Sequence, residues 1–161
     1  MTTPSHTDSI QTLDIRNDVF IAASPEIAFA SLLEELGPGS QMPDGTPFPM
    51  KVEPWPGGRW FRDLGHTGGH AYGHLWGHVQ VIKAPFLLEL TGPMMMSFAA
   101  TNHVQYRLTP EGSGTRLSLI HRALGTILPE HREGMPKGWE YGLSRVRQVA
   151  EQKSGTAHAK V

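Results

Sequence analysis

The chain has 161 residues, a net charge of −1 at pH 7 and no cysteine. That length fits one domain with one core, the charge argues against nucleic acid as a partner because phosphate binding needs a concentrated basic face, and the missing thiols exclude disulfides and zinc–cysteine sites. No apolar run reaches the ~18–20 residues of a membrane span, and residues 1–12 lack the apolar stretch of a secretory signal, so no span and a cytoplasmic location are expected.

Residues 1–11 and 154–161 are polar and aperiodic, and both are expected as disordered tails flanking a single domain over 12–153. Leu13, Ile15, Val19 and Ile21 alternate with the charged Asp14, Arg16 and Asp18, the pattern of a half-buried strand. Ser24-Pro25-Glu26 then supplies an N-cap, a first-turn proline and a first-turn acid for a short helix that Gly37-Pro38 ends after Leu36. Pro38, Pro43, Pro47, Pro49, Pro54 and Pro56 make 37–58 a stiff loop with one short strand near 50–53, either a lid or a surface wrap. Strands follow at 59–66, 71–83, 86–92, 101–109 and 115–123, separated by short turns, and imply an antiparallel meander. Last, Met135, Trp139, Leu143, Val146 and Ala150 recur at helical spacing, and the helix that carries them must bury that stripe against the sheet.

Strand parity assigns faces. Asn102, Val104, Tyr106 and Leu108 point inward on one strand, and Leu117, Leu119, His121 and Ala123 on the next. Trp60 and Leu64 are the better inward pair on 59–64, taking Arg62 with them, and an inward Arg must find an anion. On 71–82, Leu75, Gly77, Val79 and Val81 read as the core side, leaving His74, Trp76, His78 and Gln80 outside. His66, His70, His74 and His78 would form a metal comb on a helix, but five glycines in or beside that stretch would cost such a helix about 4–5 kcal/mol. A hairpin turning at Thr67-Gly68-Gly69 is favoured instead, with His66 and His70 near each other across it and no metal or cofactor expected.

Four segments in order then carry a family resemblance: Trp55-Pro56-Gly57-Gly58-Arg59-Trp60, the stretch 77–88 with its Lys83-Ala84-Pro85 turn, Gly114-Thr115-Arg116-Leu117-Ser118-Leu119-Ile120-His121, and Gly138-Trp139. Together they resemble the activator-of-heat-shock-protein-90-ATPase-like domains of the START-like, or SRPBCC, superfamily, over about residues 13–151. The resemblance implies an α+β helix-grip fold: a strand, two short helices, a curved antiparallel sheet and a long C-terminal helix across its concave face. It also implies a hydrophobic cavity that superfamily members use for lipids, polyketides or other apolar molecules, and in some branches for cyclising or hydrolysing them. Activation of the chaperone does not follow from the domain. The proline-rich 37–49 loop departs from the pattern where the second short helix is expected.

Three functions stay open on these residues. The first is binding of a small apolar molecule enclosed by Trp60, Tyr106, Leu119 and Trp139, with Arg62 and His121 as polar anchors. The second is a cyclase- or hydrolase-like enzyme in which His121 is general acid or base and Arg62 or Tyr106 stabilises an oxyanion or enolate. The third is an interaction module, or a homodimer, docking through His74, Trp76, His78 and His103 on the outer face.

Overall fold

A computed structural model describes residues 9–94 and 97–159. Alternating β1 (Gln11–Ile21) leads into α1 (Pro25–Leu36), which is capped as its sequence dictates: Ser24 Oγ accepts from the Ile27 amide at 3.3 Å and Pro25 opens the first turn. The chain continues through β2 (Lys51–Val52), β3 (Arg59–Thr67), β4 (His70–Lys83), β5 (Leu87–Gly92), β6 (Ala100–Glu111) and β7 (Gly114–Gly125) to α2 (Pro129–Ala159). All seven strands form one antiparallel sheet in the order β1-β7-β6-β5-β4-β3-β2. This is the helix-grip arrangement, with both helices gathered by the curved sheet.

The core lies between the sheet, α1 and the second half of α2. Ile21, Leu32, Leu88, Leu90, Val104, Leu117, Leu119, Val146 and Ala150 are 2% exposed or less, and α2 joins this core through one apolar stripe. Leu143, Val146 and Ala150 are buried as their spacing requires, while Met135 and Trp139 nearer the start are half-buried. Polar ties hold α2 at both ends. Arg132 donates to the Thr12 carbonyl at 2.8 Å, and Glu151 accepts from the Ala22 amide at 3.0 Å.

Several expectations change. α2 begins six residues ahead of Met135 and contains Pro136; the stretch Pro129–Gly134 lacks an apolar period and so gives no helical signal. The helix also runs on to Ala159, with Ser154 buried and Lys153 bonded to Glu34 at 2.6 Å, where a frayed tail was expected. At the other end Gln11 already pairs in β1, and residues 1–8 of the expected tail lie outside the described residues.

Face assignment holds on β6 and β7 and fails on β4. Trp60 pairs with Gly77 but Phe61 pairs with Leu75, so one residue of β4, Trp76, is extra. This bulge reverses parity on its N-terminal side. Trp76 and His74 therefore turn inward, and Leu75 is 43% exposed. Leu64, expected inward, lies within a second register shift, between Asp63 and His66, and is exposed. His66 pairs with Ala71 and His70 with Thr67, adjacent rungs whose side chains point to opposite faces, so the two histidines do not converge.

Another register shift, between Val79 and Val81 against β5, turns Ile82 to the core where Val81 was expected, and β4 and β5 run unusually close at Gly77 and Gly92. A Cβ on Gly92 would sit 2.6 Å from the Trp76 carbonyl oxygen, and one on Gly77 would sit 2.7 Å from the Thr91 oxygen. Gly92→Ala is expected to lower unfolding free energy in urea by about 1–3 kcal/mol, whereas Gly155→Ala, which meets open space, is not. A loss at Gly92 of under about 0.5 kcal/mol would contradict the close approach.

Candidate functional site

Between the sheet and the first half of α2 lies a cavity of about 520 Å³. Trp60 (β3), Trp76 (β4), Tyr106 (β6) and His121 (β7) form its sheet wall, and Leu32, Glu35 and Leu36 close it from α1. Met42, Phe48 and Met50 enter from the proline-rich loop, and Gly134, Gly138, Trp139 and Gly142 from α2. The bulge explains the aromatic wall, because it sets Trp76 against Trp60 at 5.3 Å between ring centroids and against Phe48 at 6.1 Å. Trp60 Nε1 is satisfied by the Leu36 carbonyl at 2.8 Å, one of the free carbonyls at the end of α1.

A chain of hydrogen bonds fixes the inner end. Trp139 Nε1 can only donate, so His121 Nδ1 accepts from it at 2.9 Å and the ring proton sits on Nε2, which donates to Asn102 Oδ1 at 2.7 Å. Asn102 in turn donates to the Gly92 and Pro93 carbonyls, each at 3.2 Å. Next along, Met94 takes φ 36°, a left-handed conformation rare for a side chain of its kind, and its amide is held by the Trp76 carbonyl at 3.0 Å. Met94 lines the cavity; Met95 and Met96 of the same run lie outside the described residues.

Of the six residues read from the sequence as ligand contacts, Trp60, Tyr106, His121 and Trp139 line the cavity. Leu119 does not; it is buried in the packed core beside it. Arg62 does not line it either, and its guanidinium lies over the Phe48 ring, 3.6 Å from the centroid. The cation expected to need an anion is met by a ring face. The general acid or base role expected of His121 is opposed by the geometry, since both ring nitrogens are engaged. Among the described residues, no group of three or more His, Asp or Glu could hold a metal ion.

Three features escaped the sequence reading. Trp76 was assigned to the wrong face because a bulge leaves no periodic signature. Glu35 is 8% exposed and lines the cavity; its signal was present, since it follows Leu32 by three and Ala28 by seven on the buried face of α1. Gly134, Gly138 and Gly142 recur every four residues on the cavity side of α2. A Cβ added at any of them would meet nothing within 4 Å.

The family described as "Activator of Hsp90 ATPase homolog 1-like protein" matches residues 39–151. The chain belongs to that family. Among solved structures of the same fold, a protein from Rhizobium leguminosarum superposes with a TM-score of 0.69 at 12% identity, over 89% of this chain and 97% of that one. Ara h 8.0201 does so with a TM-score of 0.61 at 10% identity, over 88% and 98%. StfQ, a di-domain ARO/CYC from the steffimycin biosynthetic pathway, gives a TM-score of 0.60 at 15% identity, over 89% of this chain and 52% of its own. No curated protein matches significantly. In this member of the Hsp90-ATPase-activator-like family, no helix among the described residues is long and apolar enough to cross a membrane.

Burial sets the electrostatics of the site. It raises the Glu35 carboxyl to about 7, against the opposing pull of Arg145, whose Nε lies 3.6 Å from Glu35 Oε2; Glu34 nearby adds to the rise. Tyr106 is pushed well above its ordinary value by burial and then by Glu35. His121 is lowered from 6.5 to about 4, by burial first and His103 second. Below pH 6.5 the unfolded chain therefore takes up a proton at this imidazole that the folded protein refuses, so stability present above pH 6.5 is lost progressively down to pH 4. Glu35 works in the opposite sense across part of that range, because its folded form holds a proton the unfolded carboxyl has released. A variant comparison separates the two. Between pH 7 and pH 4, wild type is expected to lose about 3 kcal/mol more in urea unfolding than His121→Gln, and equal losses would show that the imidazole is not held neutral.

Proposed function

We propose that the protein binds a small, largely apolar molecule in the cavity between the sheet and α2, with Trp60, Tyr106 and Trp139 as apolar walls and His121 as a fixed part of the lining. The supporting observation is the glycine series on α2. Each glycine in a helix interior costs about 0.8–1 kcal/mol relative to alanine, so Gly134, Gly138 and Gly142 together forgo about 2.5–3 kcal/mol. Nothing in the packing asks for this, because a side chain at each position would enter open space. The sequence gives up stability where the only gain is room.

The family and its fold neighbours are compatible with this reading, and StfQ adds that one protein of the same fold is an ARO/CYC. The enzyme alternative lacks a free base at His121, whose nitrogens are both bonded. Docking on the outer face, by a partner or a second copy, loses half of its expected residues, since His74 and Trp76 face inward. The proline-rich loop reaches the cavity mouth through Met42, which is 45% exposed, and Pro43. Its hairpin bonds, Met42 amide to Thr46 oxygen at 2.8 Å and Phe48 amide to Ser40 oxygen at 2.9 Å, make it a stiff rim through which the guest enters.

Gly138→Leu tests the reading, because it places an apolar side chain in the cavity while improving helix propensity. The expected result is a protein at least as stable as wild type that no longer enhances the fluorescence of the neutral probe N-phenyl-1-naphthylamine. Unchanged probe binding by a folded Gly138→Leu protein would remove the cavity as the binding site.

A further inference from the structure

The cavity wall holds two carboxylates, Glu35 and Glu130, and no Lys or Arg. Its two histidines are His121, with both ring nitrogens engaged, and His131, whose ring stands edge-on to Phe98 with Nδ1 unpartnered among the described residues. Arg62 is stacked on Phe48. Arg145 is engaged from two sides: Glu35 lies 3.6 Å from its Nε, and Gln41, with its amide oxygen turned to the guanidinium, accepts from the same nitrogen at 2.6 Å. A carboxylate or phosphate head group drawn into this space would shed its water beside two carboxylates without meeting a lysine or arginine, which is strongly unfavourable. An ammonium group would fare little better at Glu35, because the Arg145 guanidinium already stands beside it.

Glu35 does offer an acceptor. Its Oε2 is buried and has no hydrogen-bond partner among the described residues, with Arg145 Nε at 3.6 Å beyond hydrogen-bond reach. Buried carboxylate oxygens are seldom left so. Trp76 Nε1, in the sheet wall, is a buried donor that is likewise unpartnered. Around them the wall is aromatic, through Phe48, Trp60, Trp76, Tyr106 and Trp139, which favours a flat ring over a saturated chain.

Resting on the reading that the cavity binds an apolar guest, we propose that this guest is a neutral hydroxylated ring compound, a phenol or related alcohol, whose hydroxyl donates to Glu35 Oε2. Anionic amphiphiles are excluded by the same wall. Selectivity therefore comes from one buried, unpartnered acceptor in a largely aromatic wall, and from the lack of a lysine or arginine to receive a charged head group.

Calorimetric titration with 2-naphthol, 2-methoxynaphthalene and 2-naphthoate at pH 7 tests this, since the three share a ring system and differ in donor and charge. Wild type is expected to bind the naphthol about fivefold or more tighter than the methoxy compound, and the naphthoate more weakly than either. In the double variant Glu35→Leu/Arg145→Met, which replaces the buried pair by apolar groups, the naphthol should fall to within about twofold of the methoxy compound. Equal affinities of those two for wild type, tight binding of the naphthoate, or a naphthol preference that survives the double substitution would each overturn the proposal while leaving the cavity reading intact. Failure of all three compounds to bind wild type would overturn both. The wild-type comparison decides the question by itself if the double variant does not fold.

Discussion

The bond from Trp139 to His121 is the constraint on which the site depends. The second half of α2 packs on the core through Leu143, Val146 and Ala150, while its first half is tied to β1 by Arg132 and Met135 and set over β7 by one indole resting on one imidazole. That contact is a spacer as well as a tie. The large side chain reaches the sheet while the glycines on the flanking turns do not, so the helix is anchored without the gap beneath it closing. The imidazole can serve as an anchor because Asn102 fixes its other nitrogen, and Asn102 is fixed in turn by two carbonyls at the end of β5. Cooperative chains of this kind are rigid when every member is satisfied.

The same chain connects parts of the molecule that are distant in sequence. β7, β6, the end of β5 and α2 meet at three side chains, and the strained Met94 lies at the end of that line. Strain at a residue lining a cavity persists only where its surroundings overdetermine it. Here the neighbouring carbonyls are gripped from one side by Asn102, and the Met94 amide is gripped from the other by Trp76.

Legibility in the sequence followed how regular each element is. β6 and β7 are long and unbroken, so period-two parity placed Tyr106, Leu119 and His121 on the correct face. β4 is longer still, yet extra residues on either side of its Gly77–Val79 centre reversed parity in both directions, and no propensity marks a bulge in advance. The apolar stripe of α2 was legible because burial demands it; the glycine series was overlooked because it answers no packing demand. Arg62 was placed on the right face and given the wrong partner, since sequence alone does not say that Phe48 from a proline-rich loop lies over β3. Glu35 was missed for a related reason. A charged residue on a buried helix face conflicts with the usual pattern, and such conflicts fall where a fold serves something other than its own stability.

The distribution of indoles has a practical consequence. Three of the four tryptophans, Trp60, Trp76 and Trp139, stand around one space, while Trp55 is 55% exposed on the surface. Intrinsic emission is thus weighted toward the interior void, and any change in its polarity alters the spectrum. The protein carries its own optical reporter of occupancy, with no dye or label attached.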